Sequence, residues 1–415
     1  MINNSRIILL FFSSAILLLN SACSLPEINR QFEVVDTAAN IAGEVKLASP
    51  DNQAVIVVLF KDEGSGRASL INQFPLTGEG EYSFHTPVGG YFIAAFVDSN
   101  GDGVYQEGEP ATYYGIDNNE PSSINASKNE VINLSPLEIK GALETSGGYT
   151  VKYNLNKAIK NIGKLVSLDD PMFSDEFASM GMWRPLDFID QVGGGLFILN
   201  EYQSNKIPII FVHGINGSGR NWSDAVNKLD NTLFQPFILY YPSGARLDMV
   251  SDYLVKAINT LYSRYQFKEL YIVAHSMGGL VSRSFIMKHY QNKHPAKIEL
   301  FITVNSPMRG MPSAKSGVAY SPIVVPAWRD VASESEFIKN LSAWHWPKEI
   351  PYHLVFSYES GEGSDGVVPL ESQIPLKLQS ESTRIYGFNS SHADLLHEDK
   401  FITQLNKILI ESLTN

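Results

Sequence analysis

Residues 270–280 read Leu-Tyr-Ile-Val-Ala-His-Ser-Met-Gly-Gly-Leu. Leu270 to Val273 is a continuous apolar run, short enough for a strand buried on both faces, and Gly278 and Gly279 open a helical pattern. Ser276 therefore stands on a tight strand-to-helix turn. Small residues, Ala274 and Gly278, occupy the positions where the two elements cross closely. Outward from this point the chain alternates. Ile207–Val212, Phe234–Tyr241, Ile298–Val304, Tyr352–Phe356 and Thr383–Phe388 all have the texture of strands. Leu247, Val250, Leu254, Ile258, Leu261 and Tyr265 fall at helical spacing, and Phe401, Ile402, Leu405, Ile408 and Leu409 share one face of a closing helix. Such alternation predicts an α/β fold, a mostly parallel sheet flanked by helices.

The strand–serine–helix stretch resembles the nucleophile elbow of the α/β-hydrolase fold, in the Ala-x-Ser-x-Gly form found in some bacterial lipases. Ile207–Val212 empties into His213-Gly214-Ile215-Asn216-Gly217-Ser218-Gly219, which resembles the His-Gly oxyanion loop of lipases and esterases. The resemblance makes the N–H groups of Ile215 and Met277 the oxyanion donors, with His213 a brace for the loop. Further on, Asp365-Gly366-Val367-Val368-Pro369 follows a strand and resembles the acid-bearing loop of hydrolases. His392 lies in the loop after the last strand. The order Ser276, Asp365, His392 is that of α/β-hydrolases and of neither chymotrypsin-like nor subtilisin-like proteases. Glu359 and Glu362 are rival carboxylates, but their polar, Gly-rich setting suits groups that face water. His397 is a rival histidine placed where a helix begins.

Residues from about 200 to 415 are thus similar to the lipase/esterase branch, including the bacterial lipase and GPI inositol-deacylase groups. The resemblance implies a serine hydrolase acting on carboxylic esters, acyl lipids or other apolar esters, through an acyl-enzyme on Ser276 and without a cofactor for catalysis. Thioesterase or amidase chemistry on the same fold is one alternative. A surface-binding lipoprotein with an idle core is the other.

The N-terminus carries a second signal. Arg6 precedes the apolar run Ile7–Leu19, too short for a comfortable membrane span but suited to a secretory signal. Leu19-Asn20-Ser21-Ala22-Cys23 follows, and Cys23 is the single cysteine of the 415-residue chain. This resembles a bacterial lipobox, in which the cysteine is lipidated and becomes the mature N-terminus. One cysteine forms no internal disulfide, and lipidation would remove an otherwise free thiol. The expectation is a cell-envelope protein anchored in a membrane by lipid on Cys23, with Ser24 fitting the outer membrane.

Between the two signals lies a different texture. Ala54–Phe60, Glu81–His85 and Tyr91–Val97 are strand-like and separated by turn residues, as in an all-β sandwich. The phrases Gly80-Glu81-Tyr82-Ser83-Phe84 and Gly90-Tyr91-Phe92-Ile93-Ala94-Ala95-Phe96 look like carboxypeptidase-regulatory-like or immunoglobulin-like modules. Within it, Asp98, Asn100, Asp102, Val104 and Glu109 match the ligand spacing of a calcium loop, structural in role. A turn held by its own Asn and Asp side chains is the alternative.

The expected organisation is a signal peptide over 1–22, a tether over 23–40, a small β-sandwich over 41–140 and an α/β-hydrolase domain over 141–415. Residues 308–351, with Trp344 and Trp346, read either as a lid or as core. A formal charge of −12 without basic stripes argues against a nucleic-acid partner.

Overall fold

The computed structural model describes residues 25–48, 53–115, 121–143, 150–153 and 157–414. The expected signal peptide and Cys23 lie outside the described residues. Among those described, no helix is long and apolar enough to cross a membrane.

The stretch expected to be a tether is instead a helix over residues 25–36 (α1). Leu25, Ile28, Phe32 and Val35 recur at helical spacing, and Phe32 and Val35 are buried. Each such burial contributes ~1.5–3 kcal/mol, which a solvated tether would forgo. Gln31, also buried, accepts the N–H groups of Leu186 and Asp187 at 3.1 and 3.2 Å.

Two sheets then form the expected sandwich. In the first, β1 (Ala39–Leu47) pairs antiparallel with β4 (Gly80–Thr86) and parallel with two short strands, β8 (Val131–Asn133) and β9 (Leu137–Ile139). In the second, β2 (Val55–Gly64) lies between β3 (Arg67–Leu76) and β5 (Gly89–Val97), with β6 (Ala111–Tyr113) and β7 (Ile124–Ala126) on β5. Ile41, Val45, Val57, Leu59, Phe84 and Ile93 fill the space between them. The module runs past the expected limit at 140, because β10 (Thr150–Tyr153) pairs parallel with β3.

The C-terminal domain is built on a seven-stranded sheet of β11 (Gly195–Ile198), β12 (Ile207–Val212), β13 (Phe234–Tyr240), β14 (Glu269–His275), β15 (Lys297–Val304), β16 (Tyr352–Tyr358) and β17 (Arg384–Asn389). Its order is β11-β13-β12-β14-β15-β16-β17, with only β11 antiparallel to its neighbour. Side chains alternate between faces, so each central strand needs apolar residues throughout. Ile210, Val212, Ile272 and Ala274 pack with α2 (Leu247–Tyr265) and α3 (Met277–Gln291). Ile209, Phe211, Tyr271 and Val273 pack on the other side against Phe401, Leu405 and Ile408 of the closing helix. This is the expected α/β-hydrolase fold.

The β-module core is continuous with the α2–α3 face of this domain. Polar contacts fix the join: Asn259 Nδ2 donates to Pro75 O at 2.8 Å, and Ser83 Oγ donates to Asp252 Oδ2 at 3.0 Å. Three short helices fill residues 308–351: α4 (Pro312–Tyr320), α5 (Pro326–Val331) and α6 (Glu336–Ala343).

Candidate active site

The residues in question gather at the carboxyl ends of the parallel strands. β14 ends at His275, and Ser276 turns the chain into α3 with φ 53° and ψ −130°. Such a backbone costs a non-glycine residue about 1–3 kcal/mol and persists only where its surroundings impose it. Here Ser276 N–H donates to Val304 O at 2.8 Å, and neighbouring backbone presses close. A Cβ on Gly214 would lie 2.7 Å from Ser276 Cβ, and one on Gly278 would lie 2.5 Å from His213 O. Only glycine fits at either position without displacement of the loop or the helix.

Asp365 follows β16 and is 1% exposed. The residues after it explain its motif. The N–H groups of Val367 and Val368 donate to Asp365 Oδ1 at 3.0 and 2.7 Å, which leaves Oδ2 to accept from His392 Nδ1 at 2.7 Å. His392 Nε2 lies 2.9 Å from Ser276 Oγ. A carboxylate only accepts, so Nδ1 carries the imidazole proton and Nε2 is left to accept from the serine hydroxyl. The structure thus brings Ser276, His392 and Asp365 into one hydrogen-bonded chain.

Two residues that sequence reasoning passed over hold His392 from behind. Its carbonyl accepts from His275 Nε2 at 3.1 Å and from Asn305 Nδ2 at 3.0 Å, while its own N–H donates to Asp365 O at 2.9 Å. Burial, and then repulsion from His392, push the His275 pKa down to about 3, so its ring is neutral at pH 7 with the proton on Nε2. Asn305, at φ 51° at the end of β15, carried no sequence signal.

His213 braces the oxyanion-like loop. Its Nδ1 donates to Gly214 O at 2.7 Å, and its Nε2 accepts the Tyr241 N–H at 3.3 Å. Tyr241 stacks on the ring at 4.2 Å and donates its hydroxyl to His213 O at 2.8 Å. Burial lowers the His213 pKa to about 4. Both nitrogens are engaged, and neither is spare for proton transfer.

Ser276 opens onto a cavity of about 270 Å³ whose walls include Ile215, Met277, Met311, Trp328, Val331 and Val368. Ile215 and Met277, the expected donors, both line it. Its roof is α4, which has no buried residue of its own, with Gly317 seated against the Trp328 ring. The tryptophan pair lies elsewhere. Trp346 stacks on Phe301 at 5.3 Å and donates Nε1 to Ile350 O at 2.7 Å, as core.

The remaining candidates stay apart from this cluster. Glu359 and Glu362 are exposed, and His397 pairs with Asp224 at 2.7 Å on the surface. In the loop considered for calcium, Asp98 Oδ1 accepts from Gly101 N–H and Asp98 Oδ2 from Gly103 N–H, both at 2.9 Å. Glu109 Oε1 accepts from Ser99 N–H at 2.9 Å, and Asp102 Oδ1 from Val104 N–H at 2.8 Å. Asn100 Nδ2 donates to Asp102 Oδ2 at 3.1 Å. Those carboxylates thus serve the loop's own backbone and side chains.

Residues 242–412 match the model of a family described as an alpha/beta hydrolase of unknown function (DUF915). None of the curated proteins matches the chain. Among solved structures, the lin2722 gene product of Listeria innocua is 18% identical, covering 49% of this chain and 94% of its own, with a TM-score of 0.39. A thermophilic esterase from Thermogutta terrifontis is 15% identical over 50% of this chain and 91% of its own, with a TM-score of 0.36. A Bacillus licheniformis lipase in its propeptide form is 18% identical over 48% and 49%, with a TM-score of 0.37.

Proposed function

We propose that this chain is a serine hydrolase cleaving carboxylic esters with an apolar acyl group. The observation that carries the reading is the chain of contacts from Asp365 through His392 to Ser276 Oγ, at the floor of an apolar cavity. His392 Nε2 takes the Ser276 proton as Oγ attacks the ester carbonyl, and Asp365 stabilises the imidazolium that forms. Charge developing on the carbonyl oxygen would be met by the N–H groups of Ile215 and Met277, residues that both line the cavity. His392 then protonates the departing alcohol, and a water repeats the sequence on the acyl-enzyme to release the acid. These steps use only side chains and backbone donors of this chain.

The walls supply the preference. Met277, Met311, Trp328, Val331 and Val368 present mainly apolar surface to an acyl chain, so affinity comes from apolar contact. A volume of about 270 Å³ suits a short to medium chain, since a cavity of about 150 Å³ already takes benzene. Attachment to a membrane of the cell envelope through lipid on Cys23 belongs to the same reading and rests on the sequence Leu19-Asn20-Ser21-Ala22-Cys23.

Hydrolysis of a p-nitrophenyl ester series from acetate to palmitate tests the reading. Turnover peaking between butyrate and octanoate, and abolished by Ser276→Ala, is the expected result. Folded protein that cleaves none of them would overturn it and favour a binding role.

A further inference from the structure

A second cavity, of about 220 Å³, lies where the β-module, the segment around Ala158 and Ile159 and α2 meet. None of the residues lining it lines the cavity above Ser276. Val35, Phe84, Ile159, Met249 and Val250 give it apolar walls; Lys256 of α2 lines it as a cation, beside His85 and the Asp252 carboxylate.

Lys256 is the anomaly. It is only 7% exposed. Its single side-chain hydrogen bond runs to the neutral Asn72 Oδ1 at 2.6 Å, and it makes no ion pair among the described residues. The rings of Phe74 and Phe84 lie 5.8 and 5.5 Å from Nζ, a partial compensation through their π faces. Asp252, whose charge reaches Lys256 only through space, is already engaged: Oδ2 accepts from His85 Nε2 at 2.7 Å and from Ser83 Oγ, and Oδ1 pairs with Lys288. That pairing also argues against a metal at His85, Asp248 and Asp252, the one cluster of metal-ligating groups among the described residues, because the Lys288 ammonium already fills it. Asp248 Oδ1 accepts from the same ammonium at 2.7 Å.

A buried ammonium without an anion remains costly even after its surroundings relax. Burial accordingly depresses the Lys256 pKa to about 8. An arriving carboxylate would supply the missing partner as a charge-assisted hydrogen bond, and an apolar tail would cover the walls. We infer that this interdomain cavity is a binding site for a monocarboxylate with an apolar tail, its head on Lys256. Scaling from benzene in a cavity of about 150 Å³, the space takes about nine non-hydrogen atoms, between hexanoate and octanoate in size. A dianion or a phosphate would meet one unpaired cation and, beside it, the Asp252 carboxylate. Binding rests on this cavity alone. That such an acid is also what ester cleavage releases rests on the function proposed above.

Isothermal titration of hexanoate, octanoate and decanoate into the full chain carrying Ser276→Ala tests the site without turnover. A chain that fails to cleave esters still gives a binding result. Saturable binding is expected, stronger for hexanoate and octanoate than for decanoate, with octanoate at least tenfold tighter than 1-octanol and at least tenfold weaker when Lys256→Met is added. Should Lys256→Met fail to fold, Ala245→Leu, which fills the cavity from its wall, takes its place with the same expected loss. No saturable binding by any of the three acids would overturn the inference. So would affinity unchanged by these substitutions, which would seat the acid over Ser276 instead.

Discussion

The floor and the roof of the cavity over Ser276 are built on opposite principles. The floor is the end of a buried sheet, where Ser276, His392 and Asp365 are each pinned by backbone donors and acceptors of neighbouring strands and loops. The roof, α4, buries none of its side chains and rests on Trp328. Chemistry that tolerates little misplacement is held by hydrogen bonds and close backbone contact. On the proposed function, selection among substrates falls to a helix with no buried residue of its own, which can change at little cost to the fold. Substitutions should divide accordingly.

On the floor, His392→Ala should lower kcat for a butyrate ester by ~10⁴–10⁶-fold with Tm nearly unchanged. A loss of tenfold or less would mean that His392 is not the base. Gly278→Ala introduces a Cβ against the His213 carbonyl, and the resulting shift of loop or helix should cost ~10²-fold in kcat. An unchanged rate would show that the approach of α3 to the loop does not set the geometry. On the roof, Trp328→Ala should reduce kcat/KM for an octanoate ester by about tenfold while leaving the acetate ester almost untouched, because only the contact with the chain is lost. Equal losses on both esters would tie the roof to the chemistry.

A separate effect is on stability rather than rate. His213, His275 and His289 are buried neutral, with pKa values lowered to about 4, 3 and 4. Unfolded, they would titrate near 6.5, so between that value and about pH 4 the unfolded chain binds more protons. Their contribution is fully present above about pH 6.5. It falls with acidity by ~1.4 kcal/mol per pH unit for each histidine. Tm should therefore drop between pH 7 and pH 5, as read by calorimetry. A flat profile would mean that these rings accept protons in the folded state.

The same contrast explains what was legible in the sequence. A strand buried on both faces must be apolar throughout, so β12 through β16 announce themselves as runs. Ser276, Asp365 and His392 sit in loops whose residue types have local reasons: small residues for the turn, and two N–H groups after Asp365 for its Oδ1. His275 and Asn305 gave no such sign, since they act on a backbone carbonyl that only the folded chain brings near. Helix α1 could have been found from Leu25, Ile28, Phe32 and Val35, but its charged remainder reads as solvated chain. β10 joins a sheet whose other strands lie far earlier in sequence, and no local pattern reports that pairing. Trp344 and Trp346 fitted lid and core equally well, because aromatic content alone does not say which surface covers it.

The most direct measurement is peptide mapping by mass spectrometry after reaction with a fluorophosphonate. Only a serine with an adjacent base and an oxyanion site is phosphonylated rapidly. The account predicts one adduct, on Ser276, formed by the unsubstituted chain and absent from His392→Ala. A folded chain that takes up no probe, or takes it up on another serine, would contradict it.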